Sequence, residues 1–201
     1  MARHARYDRD TALGKAVDLF WEKGYQGSSM KQIEQALDMR PGSIYATFGS
    51  KDKLFSEALA AYAARTGRDM AEHMSRYDSV VDGLQDYLRK LARSYGSGCK
   101  TPSRACMVVK TLLESSNTHP EIRAQAQNIL KTVEASLASL LEQARARGEL
   151  PESTDCARLA RLIQAQIVGL RSMAERLSDS RAMDQLGDDM AAILEPYRAR
   201  H

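Results

Sequence analysis

Gly24-Tyr25-Gln26-Gly27-Ser28-Ser29-Met30-Lys31-Gln32-Ile33, and shortly after it Arg40-Pro41-Gly42-Ser43-Ile44-Tyr45-Ala46-Thr47-Phe48-Gly49-Ser50-Lys51, are the residues whose reading decides the fold. Gly24 is a helix stop. Ser29 with Gln32 three residues later fits a capping box, and it opens a short helix whose Met30, Ile33 and Leu37 face inward. Asp38-Met39-Arg40 is a tight connector. Pro41 then occupies the first helical position, where its missing N–H costs nothing, and starts a second short helix running to about Thr47. Gly49-Ser50 breaks the chain again, and Ser50 caps a longer helix with Leu54, Phe55, Ala58, Leu59 and Tyr62 on its apolar face. Helices as short as the first two do not persist alone. They need cover from the Ser50 helix and from the helix before them, about Arg9 to Lys23, with its stripe of Leu13, Ala16, Val17, Phe20 and Trp21.

Such an arrangement presents its last short helix outward, where it can enter the major groove of DNA. Working outward, apolar residues recur at three- and four-residue spacing almost everywhere, and β-branched alternation is absent. The fold expected is all-α, about nine helices. An N-terminal three-helix helix-turn-helix head spans residues 6–66, with its motif at about 29–48, and a helical body spans 75–201. Within the body, Val80, Val81, Leu84, Leu88, Leu91 and Tyr95 mark one helix, and Gly96–Ser103 reads as a loop. Ala105–Ser116 reads as a short helix. The cleanest stripe runs from Ile122 to Ala144 and stops at Gly148, with Pro151 just beyond. Ser153–Leu177 is apolar on more than one face, so it must be buried on two sides. Met183, Leu186, Met190, Ile193 and Leu194 mark the last helix.

Composition narrows the function by exclusion. The chain has 201 residues and a formal net charge of only +3, so DNA binding requires its positive groups to be gathered on one face. Three cysteines, Cys99, Cys106 and Cys156, form neither a disulfide framework nor a zinc spacing. His4, His73, His119 and His201 are scattered, so no metal site, cofactor or catalytic residue is expected. The start of the chain is polar and basic, and the greasy runs are too short to span a bilayer, so no membrane partner is expected and the location is cytoplasmic.

The residues quoted first resemble the TetR family of regulators. That family runs from a small hydroxyl pair through a helix and turn to proline or glycine, then isoleucine or leucine with tyrosine, phenylalanine, and a serine or aspartate before lysine. Here these are Ser28-Ser29, Pro41-Gly42-Ser43-Ile44-Tyr45, Phe48 and Ser50-Lys51. The resemblance covers roughly residues 6–66; beyond them it rests on helical layout and the Gly148-Glu149-Leu150-Pro151 joint. It implies a ligand-responsive regulator, a repressor released by its inducer or alternatively an activator, whose small-molecule inducer binds among the helices between about Ser75 and Leu177. Ile44 and Phe48 anchor the recognition helix. Ser29, Tyr45, Ser50 and Lys51 face the phosphate backbone of a double-stranded operator. Arg40, Gly42, Ser43, Ala46 and Thr47 approach base edges, with Pro41 among the DNA-binding residues, and arginine can read guanine bidentately. Arg3, Arg6 and Arg9 form either a basic arm toward DNA or a solubilising tail. Departures lie at Asp38, where glycine is usual in the turn, at Arg40, where a hydroxyl cap is usual, and at the small Ala46 and Thr47. They bear on which operator is read.

Two further expectations concern the body. Cys106 near a helix start, with Lys110 one turn on, is either a redox- or electrophile-sensing thiol or a simple packing residue. A homodimer is expected through the last two long helices, with Leu159, Ile163, Ile167, Leu170 and Ala174 at the contact. A small helical enzyme using Cys106 is a poor fit because no base is placed to serve it. A purely structural DNA-binding protein leaves over a hundred helical residues without a task.

Overall fold

The computed structural model describes residues 2–94, 105–114, 119–177 and 179–199, with residues 2–8 given by backbone alone. Among the described residues the chain is all-α. The helices are α1 (Ala2–Lys23), α2 (Met30–Leu37), α3 (Pro41–Phe48), α4 (Lys51–Met74), α5 (Val80–Ser94), α6 (Met107–Glu114), α7 (Pro120–Ala146), α8 (Cys156–Arg176) and α9 (Ser180–Ala192), followed by a single 3-10 turn, Glu195–Tyr197. The Gly96–Ser103 loop, Cys99, Tyr95 and Ser115–Ser116 lie outside the described residues. The chain divides into two compact units, Met1–Thr66 with Cys106–Ile129 and Gly67–Ala105 with Leu130–His201. Thus α6 and the first part of α7 fold with the helix-turn-helix segment, although forty residues separate them in sequence.

In the first unit, α1 starts at Ala2, earlier than its apolar stripe suggests. Arg9 is not part of a free arm. Its guanidinium donates to the Glu57 carboxylate at 2.6 Å and lies 5.1 Å from the Phe48 ring centroid. The side chains of Arg3 and Arg6 lie outside the described residues. Gly24, at φ +73°, ends α1 in the left-handed conformation that glycine adopts without strain. Phe20, Ile33, Ile44, Leu54, Phe55 and Leu59 are at most 1 % exposed, so one core joins α1 to α4. Phe20 and Phe55 meet edge to face, with centroids 4.9 Å apart. Arg65 adds its guanidinium over Trp21, 5.5 Å from the centroid.

The second unit is organised around α5. Its N-terminus leaves N–H groups that need acceptors, and the chain supplies all of them. The Glu149 carboxylate accepts from Val80 N and Val81 N (3.1 and 3.0 Å), Ser79 Oγ accepts from Asp82 N (3.1 Å), and the Ser79 carbonyl accepts from Gly83 N (3.1 Å). Ser79 also donates its hydroxyl to Glu149 at 2.7 Å. Burial disfavours the charged Glu149 carboxyl, yet these donors, with Arg147 nearby, hold it below the ordinary glutamate range. Gly148 at φ +75° turns the chain so that Glu149 can reach. One apolar cluster joins Val81 and Leu84 of α5, Leu137 and Leu141 of α7, and Leu159 and Ile163 of α8. A second joins Leu88 and Ala92 to Leu170 and Ala174 of α8 and to Met183, Met190 and Ala191 of α9. Gly187 lets α9 lie close on α5, since a Cβ there would fall 2.5 Å from the Cβ of Ala92.

This packing bears directly on the residues expected at a dimer contact. Leu159, Ile163, Leu170 and Ala174 are fully occupied inside the chain's own core, and Ile167 bridges both clusters while partly buried. The apolar excess of α8 is consumed by α5, α7 and α9. What α8 leaves outward is a small-residue face including Ala165 and Gly169, while Leu162 packs against the first cluster.

Candidate nucleic-acid interface

The two short helices are held by local chemistry that the sequence specifies. Ser29 accepts from Gln32 N at 3.3 Å, while the Gln32 side chain accepts from Ser29 N at 2.8 Å, a closed capping box. The turn passes through Asp38 in the left-handed region, φ 54° and ψ 45°, which aspartate adopts more readily than most residues. The N–H of Asp38 bonds the Glu34 carbonyl. Arg40 is the N-cap of α3 by backbone geometry but makes no side-chain cap, so its guanidinium is not spent on the helix start.

Of the eight residues of α3, Ile44 and Phe48 are buried. Arg40, Pro41, Gly42, Ser43, Tyr45 and Ala46 are exposed, and Thr47 is half-buried. Tyr45 is 49 % exposed, unusual for so large a ring. The start of α4 continues this surface, where Ser50 caps the helix by accepting from Lys53 N at 3.1 Å. The N–H groups of Lys51 and Asp52, which that cap leaves open, and the helix dipole favour an anion.

Lys51 is not a loose surface charge. Its ammonium sits 4.1 Å from the centroid of the Tyr25 ring, and burial pushes it below the ordinary lysine value, with Asp52 opposing that shift. Tyr25 donates its hydroxyl to Asp52, and burial followed by that bond pushes its pKa up to about 12. Nothing in the sequence assigns Tyr25, its backbone partner Glu114 or its ring partner His119 a role at this interface. The signal present was an aromatic directly after a helix-stopping glycine in the segment quoted first.

The two residues expected to sense chemistry fall in the first unit. Cys106 precedes α6, partly buried, and its carbonyl accepts from Lys110 N at 3.0 Å. The Lys110 ammonium donates to the carbonyls of Trp21 and Glu22, at 2.8 and 3.1 Å, so its positive charge is used to cap the C-terminal end of α1. Cys156 is buried at the start of α8, and burial pushes its thiol above the usual range. Among the described residues no group of His, Cys, Asp and Glu could hold a metal ion, and no helix is long and apolar enough to cross a membrane.

A capped two-helix motif with one face packed and the other bare is the signature of a helix-turn-helix DNA-binding protein. Comparison with known proteins gives the family. Residues 12–58 match the model described as "Bacterial regulatory proteins, tetR family", and residues 84–190 match "Tetracyclin repressor-like, C-terminal domain". The chain belongs to the TetR family and is a DNA-binding transcriptional regulator, not an enzyme. It is 30 % identical over 165 residues to the HTH-type transcriptional repressor ComR of Escherichia coli (strain K12), covering 82 % of this chain and 78 % of ComR. A TetR regulator from Chloroflexus aurantiacus superposes with a TM-score of 0.86 at 24 % identity, covering 98 % of this chain and 100 % of that one. A cysteine mutant of the TetR family regulator CifR, solved with 26-bp double-strand operator DNA, superposes with a TM-score of 0.80 at 29 % identity over 90 % of this chain and 94 % of that one.

Proposed function

We propose that this regulator is a homodimeric repressor that holds its operator with α3 and the start of α4, and leaves it when a small molecule or electrophile acts on the body. The observation that carries this reading is α3 itself: Ile44 and Phe48 anchor it, Thr47 is half-buried, and Pro41, Gly42, Ser43, Tyr45 and Ala46 face solvent. Arg40 reads a base edge, helped by Gly42, Ser43, Ala46 and Thr47. Tyr45, Ser29, Ser50 and Lys51 hold phosphates. Residues 6–66 supply DNA contact and 75–201 supply sensing and dimerisation. The name of ComR, a repressor, and the operator complex of CifR support this reading.

Dimerisation uses the outward face of α8, where Ala165 is exposed and Gly169 has open space in place of a Cβ. A symmetry mate can approach closely there. Two heads on one dyad then read two half-sites about one helical turn apart.

Cys106 is the entry point for an electrophile. Its partly exposed thiol precedes the helix that caps α1 through Lys110, so added bulk at the sulfur displaces the Lys110 contact. Mobility shift on DNA flanking the gene, with and without a quinone or maleimide, tests the whole reading. A specific shift that the reagent reverses supports it. A shift that survives the reagent removes the electrophile and leaves a non-covalent inducer.

A further inference from the structure

We infer that Glu114 and His119 are positioning residues for DNA binding, which hold Tyr25 so that its ring fixes the Lys51 ammonium at the start of α4. The inference rests on the reading of Lys51 as a phosphate contact.

Lysine is a flexible side chain, and its charge is useful at a phosphate only where the stem is held. Here the Tyr25 ring holds it at 4.1 Å by cation–π attraction. Tyr25 is in turn fixed at four places. Two belong to α4, the helix that carries Lys51: the hydroxyl bonds Asp52, and the ring meets Phe55 edge on at 5.2 Å and 86°. The other two come from far along the chain. The Glu114 carboxylate accepts the Tyr25 N–H at 3.1 Å, and the His119 ring packs on the Tyr25 ring with centroids 4.4 Å apart.

Both remote contacts are built in. Glu114 sits against Gly24, where a Cβ would fall 2.2 Å from Oε1, so the missing side chain makes the seat for the carboxylate. His119 is tied to α7 by its carbonyl, which accepts from Arg123 N at 3.0 Å. The same helix is tied to α4 by a reciprocal pair: Ser56 donates its hydroxyl to Gln125 at 2.8 Å, and Gln125 donates to the Ser56 carbonyl at 2.9 Å. With α6 anchored on the end of α1 through Lys110, Tyr25 is held by its backbone from α6 and by its ring from α4 and the start of α7. The end of α6 and the start of α7 thereby set the strength of DNA binding without touching DNA.

The experiment uses full-length protein and an operator duplex, with affinity read by fluorescence anisotropy across a salt series. Lys51→Ala first tests the underlying reading; if its salt slope equals that of wild type, Lys51 does not contact phosphate and that reading fails on its own account. Glu114→Ala, which removes the acceptor, and His119→Ala are then made in the wild-type and the Lys51→Ala backgrounds. Each is expected to weaken binding about threefold to tenfold and to flatten the salt slope toward that of Lys51→Ala, by up to about one for each head. Neither is expected to weaken binding further once Lys51 is gone. His119→Phe, which keeps an aromatic ring on Tyr25, is expected to bind like wild type. Losses of equal size in both backgrounds, or unchanged affinity in both Glu114→Ala and His119→Ala, would overturn the inference.

Discussion

Glu149→Ala removes the acceptor that closes the start of α5. Its carboxylate takes N–H bonds from Val80 and Val81 and a hydroxyl bond from Ser79. Val80 and Val81 are 6 % and 0 % exposed, so water replaces the lost acceptor poorly. An unsatisfied buried donor costs about 1–3 kcal/mol and a lost helix cap about 0.5–2 kcal/mol, and these overlap in part. The expected loss is about 2–4 kcal/mol for Glu149→Ala, and about 1–2 kcal/mol for Glu149→Gln, which keeps a neutral acceptor oxygen. The assay is urea denaturation followed by circular dichroism at one fixed protein concentration, with the slope compared to confirm that only the midpoint moves. The pH dependence has a definite sign. The folded carboxyl titrates below its ordinary value, so its stabilisation is fully present above the ordinary glutamate range, about pH 4.3, and is lost as the pH falls through the lower folded value. The gap between wild type and Glu149→Gln should therefore close in acid. A loss under about 0.5 kcal/mol for Glu149→Ala, or a gap that widens in acid, would refute the capping argument.

Arg40→Ala is expected to cost about 1–3 kcal/mol at one base position and relax discrimination there, whereas Lys51→Ala weakens binding to every sequence alike. Competition binding against a set of single-base operator variants checks both. Leu170→Glu places a charge in the chain's own core and is expected to unfold the protein, while Ala165→Glu is expected to give folded monomers, read by sedimentation together with circular dichroism. A folded, fully dimeric Ala165→Glu would move the dimer contact off that face. Cys106→Ser is expected to retain operator binding and lose most of its release by a quinone, measured by anisotropy; full release would return Cys106 to a packing role.

The helix-turn-helix was legible because its signals are local. Capping boxes, a proline at a first helical turn and glycine stops are short-range choices that the backbone obeys wherever the chain goes. The all-α class and most helix ends followed from the same kind of reading. Position within the core did not. The α8 stripe correctly demanded burial on two sides, but periodicity does not say whether the cover is the chain itself or a second copy. The structure assigns Leu159, Ile163, Leu170 and Ala174 to its own α5, α7 and α9. Lys110 and Cys106 looked like a thiol with a charged neighbour because they are one turn apart. The fold brings the end of α1 to Lys110 from almost ninety residues away, and two carbonyl oxygens accept hydrogen bonds from its ammonium. The same long-range fold makes Tyr25 a hub for Lys51, Glu114 and His119, none of which lies within twenty residues of it.

The central claim is that α3 and the start of α4 together read one specific DNA site. The most direct measurement is anisotropy of the full-length protein on the duplex flanking its own gene, titrated in salt and repeated with Arg40→Ala and Lys51→Ala. The account predicts tight binding to a two-fold symmetric site, a sequence preference that Arg40→Ala relaxes, and a salt slope that Lys51→Ala lowers by about one or, counting both heads of a dimer, about two. Binding of equal strength to operator and scrambled DNA, unaltered in preference by Arg40→Ala, would contradict it.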